Sequence, residues 1–371
     1  MNVLNQFDFW SAVPLSGSAT HEEVAKHTNL PVEVVQRTLD HAVTMRYFAR
    51  PEPTSASVKH TSRSAALAKD TGLKALVQMV LDETSPPMML LPEALRQFAV
   101  GKSEISRNQK ETAFRLCHSG GIWGDYDNTW DFIENDGEGE KKGWRQRNFI
   151  KFMAYIKDLF NTESIVLDAI DWKAAGEATV VDVSTTNPTY KECSDVLQLG
   201  GSAGHDDISL AKAYPNLKIV VQDLPQVAPV FEKEFPADLK HRVSFLTHNL
   251  FDPQPVSADI YILKWILHDW PDVESVAILK ALVPALKPGA RVVFVDSVGK
   301  NDPNEDAALP LSMRAFGTAT DMRMMALFNA KERPVSAWKE LFKQADERYE
   351  VSSVKADPLT FMCVLEATWR G

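Results

Sequence analysis

The sequence predicts an α/β fold: a mostly parallel, Rossmann-like sheet flanked by helices, preceded by a mostly helical domain. Three observations carry this. From about Gly176 onward, short apolar runs alternate with helical segments, the pattern of βαβ units. In the first hundred residues apolar side chains recur at helical spacing instead. A length of 371 residues exceeds one ordinary core, so two domains are expected. They are drawn at 1–110 and 111–371, with a helical linker over about 111–175.

In chain order, Thr20 followed by Glu23 has capping-box spacing and opens a helix reaching about Lys26 or His27. Asn29-Leu30-Pro31 makes a turn, and Pro31 suits the first position of the next helix. That helix spans Val32 to Arg46, where Val34, Val35, Thr38, Leu39, Ala42, Val43 and Met45 recur at helical spacing. Two helices joined this way form a helix-turn-helix, which serves either DNA binding or a structural, dimerising role. The second helix offers Arg37, His41 and Arg46 against Glu33 and Asp40, and so little positive charge favours the structural role. Alternating Val58 and His60 suggest a small β-wing, followed by a helix from near Ser64. A helix is expected over Leu73 to Leu81, an interruption at Pro86-Pro87, and a further helix over Leu91 to Val100. Gly120 to Gly143, rich in Gly, Asp, Asn and Trp, reads as a loop region. Gln146 to Ile170 reads as amphipathic helices.

The strands expected next are Thr179–Val183, Leu217–Val221, Val243–Leu246, Ile260–Lys264, Arg291–Val295 and Phe361–Leu365. Met322, Met325 and Phe328, at helical spacing, are expected in a core.

Composition excludes several classes. A net charge of -10 argues against a sequence-independent grip on nucleic acid. Cys117, Cys193 and Cys363 lie far apart, without the spacing of a zinc site or a disulfide framework, so no metal is expected. No apolar run reaches the roughly 18–20 residues that span a bilayer. The amino terminus lacks the basic start and apolar core of a signal peptide, so a cytoplasmic location is expected.

Chemistry concentrates in two places. Leu263-Lys264-Trp265-Ile266-Leu267-His268-Asp269-Trp270 puts a histidine just past an apolar strand. Open α/β sheets place their chemistry at the carboxyl ends of such strands, and histidine takes a proton near neutral pH. Asp269 reads as a cap before Pro271. His118, in an irregular segment, reads as a surface residue and a reserve candidate for a second catalytic histidine. The other place is the Gly-rich turn Leu199-Gly200-Gly201-Ser202-Ala203-Gly204-His205, which leads into a helix from Asp207 to Ala213. Asp223 ends the next strand about 20 residues on, the spacing of a carboxylate that binds ribose hydroxyls.

Over nearly its whole length the chain resembles class I S-adenosylmethionine-dependent methyltransferases, and more narrowly the plant and fungal small-molecule O-methyltransferases with a winged-helix dimerisation domain. Phe9-Trp10-Ser11-Ala12-Val13-Pro14-Leu15, the helix-turn-helix, Val220 to Pro225, Leu263 to Trp270 and Asn329-Ala330-Lys331-Glu332-Arg333 carry the resemblance. It implies that S-adenosylmethionine is the cofactor. Gly200, Gly201 and Gly204 would pack on its methionine portion, Asp223 would bind ribose, and Leu224 would touch adenine. Asn249 and Leu250 would lie at the adenine edge, and Lys264 would contact the cofactor. Members usually carry Asp at position 249; Asn still offers a carbonyl acceptor.

The resemblance makes His268 the general base, with Asp296 and Glu332 as acids that flank and orient it. Many members have Glu at position 296, and Glu332 either orients His268 or pairs with Lys331 or Arg333. The implied reaction moves a methyl group to a hydroxyl of a small aromatic or polyketide-like metabolite, in a homodimer. The alternatives are a cofactor-assisted dehydration or pericyclic cyclisation, or a homologue inactivated by an insertion.

That insertion is about 16 residues, Ser184 to Leu199, between the first strand and the Gly loop. Either Val196–Leu199 is the true first strand, or Ser184 to Asp195 loops out, or the segment is translated intron. Relatives also carry several tens of residues before Phe7, which would make dimerisation weaker here.

Overall fold

The computed structural model describes residues 1–183, 205–223, 225–298, 311–357 and 362–371. The chain divides into two units, Met1–Pro86 with Arg147–Ile156, and Pro87–Gln146 with Lys157–Gly371.

The first unit is built from short helices and a small sheet. The helix His21–Thr28 starts at the expected capping box. The Glu23 amide donates to Thr20 Oγ1 at 3.2 Å, and the Thr20 amide donates to Glu23 Oε2 at 2.8 Å. Asn29, in the left-handed region at φ 55°, ends it. The helix Val32–Thr44 follows, with Pro31 one position earlier than expected, at the N-cap. Strands β1 (Ala19–Thr20), β2 (Phe48–Ala49) and β3 (Ser57–His60) form an antiparallel sheet in the order β1-β3-β2, which is the expected wing. Phe9, Trp10, Val24, Val35, Leu39, Phe48 and Val58 fill the core at 0–1% exposure. Gly72 permits a close helix approach, since a Cβ there would lie 2.7 Å from Tyr155 Cβ.

Helical structure continues differently from expectation. The helix Thr71–Gln78 runs into a π-helical turn, Met79–Thr84, and then into the helix Ser85–Phe98. Pro86 and Pro87 do not interrupt it. Their missing N–H groups fall where the π-helical turn passes into the α-helix, a point at which the hydrogen-bond pattern changes in any case.

In the second unit the region read as a loop contains a helix, Thr129–Asn135. Asn128 caps it, accepting from the Trp130 and Asp131 amides at 3.0 Å each. Strands β4 (Thr179–Val183), β5 (Lys218–Asp223), β6 (Val243–Thr247), β7 (Ile260–Lys264), β8 (Arg291–Ser297), β9 (Tyr349–Asp357) and β10 (Met362–Trp369) form one sheet in the order β6-β5-β4-β7-β8-β10-β9. β4 to β8 are parallel, while β10 runs antiparallel to β8 and β9. β9 was not expected.

Helices cover both faces, so the parallel strands are apolar on both sides: Ile260, Tyr261, Ile262 and Leu263 are all at most 3% exposed. Trp338 and Phe342 pack with Phe294 on one face; Trp172, Leu210 and Phe231 pack on the other. β4 pairs with β5 on one side and β7 on the other, so Thr179–Val183 is the first strand and is not displaced. Val196–Leu199 and the whole Ser184–Leu199 insertion lie outside the described residues.

Cys117 is a buried free thiol, Cys363 is buried in β10, and Cys193 lies outside the described residues. Among the described residues no helix is long and apolar enough to cross a membrane.

Candidate active site

The strand order reverses at β4: β5 and β6 lie to one side, β7 and β8 to the other. Ligands of open α/β sheets bind outside the carboxyl ends at this switch point. His268 and several acids gather there.

β7 ends at Lys264, and Trp265 takes the left-handed conformation at φ 53°. One 3₁₀ turn, Leu267–Asp269, then carries His268. Leu267 is fully buried and anchors the turn. Its carbonyl accepts from Arg333 Nη1 at 3.0 Å, and the Trp270 carbonyl accepts from Arg333 Nη2 at 2.7 Å. Ser275 Oγ also reaches both carbonyls, at 3.3 and 3.2 Å. Arg333 and Lys331 pair with Asp272, which leaves Glu332 to face inward.

Glu332 is 2% exposed and its Oε1 lies 3.3 Å from His268 Nδ1. Its Oε2 accepts from the Ser297 hydroxyl, and its amide donates to Asp321 Oδ1 at 2.9 Å. Asp296 is fully buried at the end of β8, with Oδ1 3.9 Å from His268 Nδ1. That is too long for a hydrogen bond, and Oδ1 accepts instead from the Ser297 amide at 2.8 Å. Of the two expected acids, Glu332 therefore makes the contact. Asp269 Oδ1 is 3.6 Å from His268 Nε2. Asp269 does not cap the helix Asp272–Leu282, whose N-cap is Pro271 without a side-chain bond.

Electrostatics bind this cluster together. Burial alone would lower the His268 pKa, but Asp269, Asp296 and Glu332 outweigh it and raise the value to about 10. Burial, opposed by His268, pushes Asp296 up to about 7. Burial likewise raises Asp269. Burial would raise Glu332 too, but His268, the Ser297 hydroxyl and Arg323 lower it. Glu332 is thus the acid that stays ionised and holds the Nδ1–H, leaving Nε2 as the proton-accepting atom. One imidazole nitrogen and two carboxylate oxygens here lie within 4.8 Å of one another, a set that could chelate a divalent ion only by displacing the Glu332–His268 contact.

A second acidic group lies at β4. Asp182 and Asp207 are buried and hydrogen-bonded to each other. Burial pushes Asp182 up to about 6, and burial together with Asp182 holds Asp207 well above the usual carboxylate range. Lys264 is ion-paired with Asp206, and Lys157 lies 3.6 Å from the same carboxylate. Asp223 is fully buried at the end of β5, and its carbonyl accepts from the His248 amide at 3.0 Å. Asn249 Oδ1 accepts from the Phe251 amide at 3.1 Å, and Leu250 is buried in the core. Gly200, Gly201, Gly204 and Leu224 lie outside the described residues.

Two expectations fail nearby. His118 is 1% exposed rather than on the surface, enclosed by Phe114, Phe132 and Tyr126. Its Nδ1 donates to the Trp123 carbonyl at 2.6 Å, and burial lowers its pKa to about 4. Met322 is 40% exposed, whereas Phe328 lies in the core as expected and Met325 packs against a neighbouring cluster; Met324 and Leu327 take the place expected for Met322. Sequence reasoning missed Asp182, Asp207, Ser297 and Arg323. The carboxylate within the apolar run Thr179–Val183 was the available signal for the first pair.

Residues 174–347 match the O-methyltransferase domain. The O-methyltransferase lcsG of Purpureocillium lilacinum is 40% identical over 378 residues, covering 100% of this chain and 76% of lcsG. The chain belongs to the O-methyltransferase family. Among solved structures, the mitomycin 7-O-methyltransferase MmcR superposes with a TM-score of 0.74 at 19% identity, covering 99% of this chain and 92% of MmcR. LepI, a pericyclase solved in complex with S-adenosylmethionine, superposes with a TM-score of 0.68 at 22% identity, covering 100% and 84%. These two likenesses show that members of the O-methyltransferase family and a pericyclase share this fold.

Proposed function

We propose that this O-methyltransferase uses S-adenosylmethionine to methylate a hydroxyl of a small aromatic or polyketide-like metabolite, with His268 as general base. The observation that carries the reading is the buried Glu332 carboxylate 3.3 Å from His268 Nδ1 at the carboxyl end of β7. It fixes the tautomer in which Nε2 accepts a proton.

The residues present suit the cofactor. A buried carboxylate, Asp223, ends β5 beside the switch point, where a ribose diol finds an acceptor. Asn249 and Leu250 follow β6 and Lys264 ends β7, on either side of β5 and β4 in the sheet; the resemblance gives the first two an adenine contact and Lys264 a cofactor contact. When bound, the cofactor supplies an electrophilic methyl carbon on a sulfonium, whose positive charge also favours the neutral imidazole.

His268 Nε2 takes the acceptor's hydroxyl proton as the oxygen forms its bond to the methyl carbon and the carbon–sulfur bond breaks. Glu332 stabilises the imidazolium that results. Asp296, further from the ring, adds negative potential without a direct bond. Most of the acceleration comes from alignment, with the base assisting as charge develops. A homodimer joined through the first unit, in the manner of the family, completes this reading.

The test is to incubate the protein with methyl-labelled S-adenosylmethionine and a panel of phenols. Label in an acceptor supports methylation. Consumption of an acceptor without label, with the cofactor bound and unchanged, contradicts it in favour of cyclisation or dehydration. Absence of cofactor binding contradicts it in favour of a homologue inactivated at the Ser184–Leu199 insertion.

A further inference from the structure

One cation near His268 has no direct hydrogen-bond or ion-pair partner among the described residues. Arg323 lies on the helix Leu311–Phe328, two residues after Asp321, whose carboxylate holds the Glu332 amide. It is half-buried and near enough to feel both Asp269 and Glu332. Among the described residues, no carboxylate oxygen lies within 4.0 Å of its guanidinium, and its buried Nε has no hydrogen-bond partner. The acids around it are committed elsewhere. Glu332 is engaged by His268 and Ser297, and Asp269 faces His268.

Arg333 nearby shows what a purely structural arginine does: it bonds two carbonyls and pairs with Asp272. A guanidinium retained only to balance the local acids would gain by pairing directly with one of them. A guanidinium held beside two acids without a direct bond to either is suited to an anion that comes from outside the chain.

We propose that Arg323 binds a carboxylate on the acceptor, so that the substrate is an aromatic hydroxy acid whose carboxylate neighbours the hydroxyl that is methylated. This rests on the methyltransferase reading, which places the acceptor oxygen at His268. The planar fork of arginine matches a carboxylate with two parallel bonds. A phosphate dianion fits less well, because Asp269 and Glu332 lie near the guanidinium and repel its second charge. Burial lowers the Arg323 pKa, yet a guanidinium remains charged at any working pH, so the cation is always present. The interaction aligns the hydroxyl as well as attracting the acid, since two-point contact fixes the ring in its plane.

The test uses an ortho-hydroxynaphthoate and the matching naphthol as probes, with binding read by calorimetry on the full chain. The wild type is expected to bind the hydroxynaphthoate about tenfold or more tightly than the naphthol. Arg323→Met is expected to erase that preference while leaving naphthol affinity unchanged, and Arg323→Lys to keep part of it. If Arg323→Met binds neither probe, Arg323→Lys decides: a retained preference supports the carboxylate site and its loss overturns it. Equal or absent binding of both probes by the wild type, or an undiminished preference in Arg323→Met, also overturns it. Methyl transfer is read separately on the same mixtures. Transfer without a carboxylate preference keeps the methyltransferase reading and sinks this one, whereas a carboxylate preference without transfer contradicts the methyltransferase reading and, with it, the claim that the neighbouring hydroxyl is methylated.

Discussion

His268 stands among three carboxylates, and its proton affinity is the property on which the proposed reaction turns. The neighbouring acids raise its pKa to about 10, so the free protein carries an imidazolium at neutral pH and the basic form increases with alkalinity. The expected kcat/KM therefore rises with pH through the His268 titration. In Glu332→Gln one anion is gone, the imidazolium is less favoured, and the acid limb should move about one unit or more to lower pH. A pH profile of kcat/KM checks this; an unmoved limb would show that Glu332 does not govern the histidine. At this scale His268 and Glu332 were legible, because each sits in a short motif whose local geometry is set by its neighbours. Arg323 was not. The helix Leu311–Phe328 has no one-sided apolar pattern, so its inward face, and hence Met324 rather than Met322, could not be phased from spacing.

At the scale of elements, the site depends on one 3₁₀ turn held from behind. Arg333 is 1% exposed and ties the Leu267 and Trp270 carbonyls to Asp272. Arg333→Met removes these bonds, leaves the two carbonyls to share the single Ser275 hydroxyl, and leaves Asp272 paired with Lys331 alone, at a cost of about 3 kcal/mol. The expected result is a lower chemical-denaturation midpoint together with a reduced kcat, because the turn no longer fixes His268. An unchanged midpoint would contradict the clamp. Legibility followed where local chemistry decides structure. The Thr20–Glu23 capping box specifies a helix start within four residues, and the parallel strands read as unbroken apolar runs because both faces are covered. β9 was hidden because it is an edge strand with alternating exposure and several serines. The helix Thr129–Asn135 was hidden by the Gly and Asp residues around it, although Asn128 carried the cap signal.

At the scale of the whole molecule, the sheet brings residues more than a hundred positions apart to one edge. Asp182, Asp223, Lys264, His268 and Asp296 all come from the carboxyl ends of β4, β5, β7 and β8 or the turns that follow them. That convergence follows from the right-handed βαβ connections, so the alternation of apolar runs already implied it. Which side chains touch does not follow from order alone, and the choice of Glu332 over Asp296 as the direct partner required the geometry. Cofactor binding links this edge to the stability of the fold. S-adenosylhomocysteine at about a hundred times its dissociation constant should stabilise the native state by about 2.7 kcal/mol, a rise in Tm of several degrees in differential scanning calorimetry. Asp223→Ala should abolish that rise; an equal rise in the variant would remove Asp223 from the cofactor site.

The most direct measurement is the single-turnover rate of methyl transfer from bound S-adenosylmethionine to an accepted phenol, in the wild type and in His268→Ala. General-base catalysis predicts a fall of about 10²–10⁴-fold in the variant with cofactor affinity unchanged. Transfer at the wild-type rate by His268→Ala would contradict the role of His268 as the base.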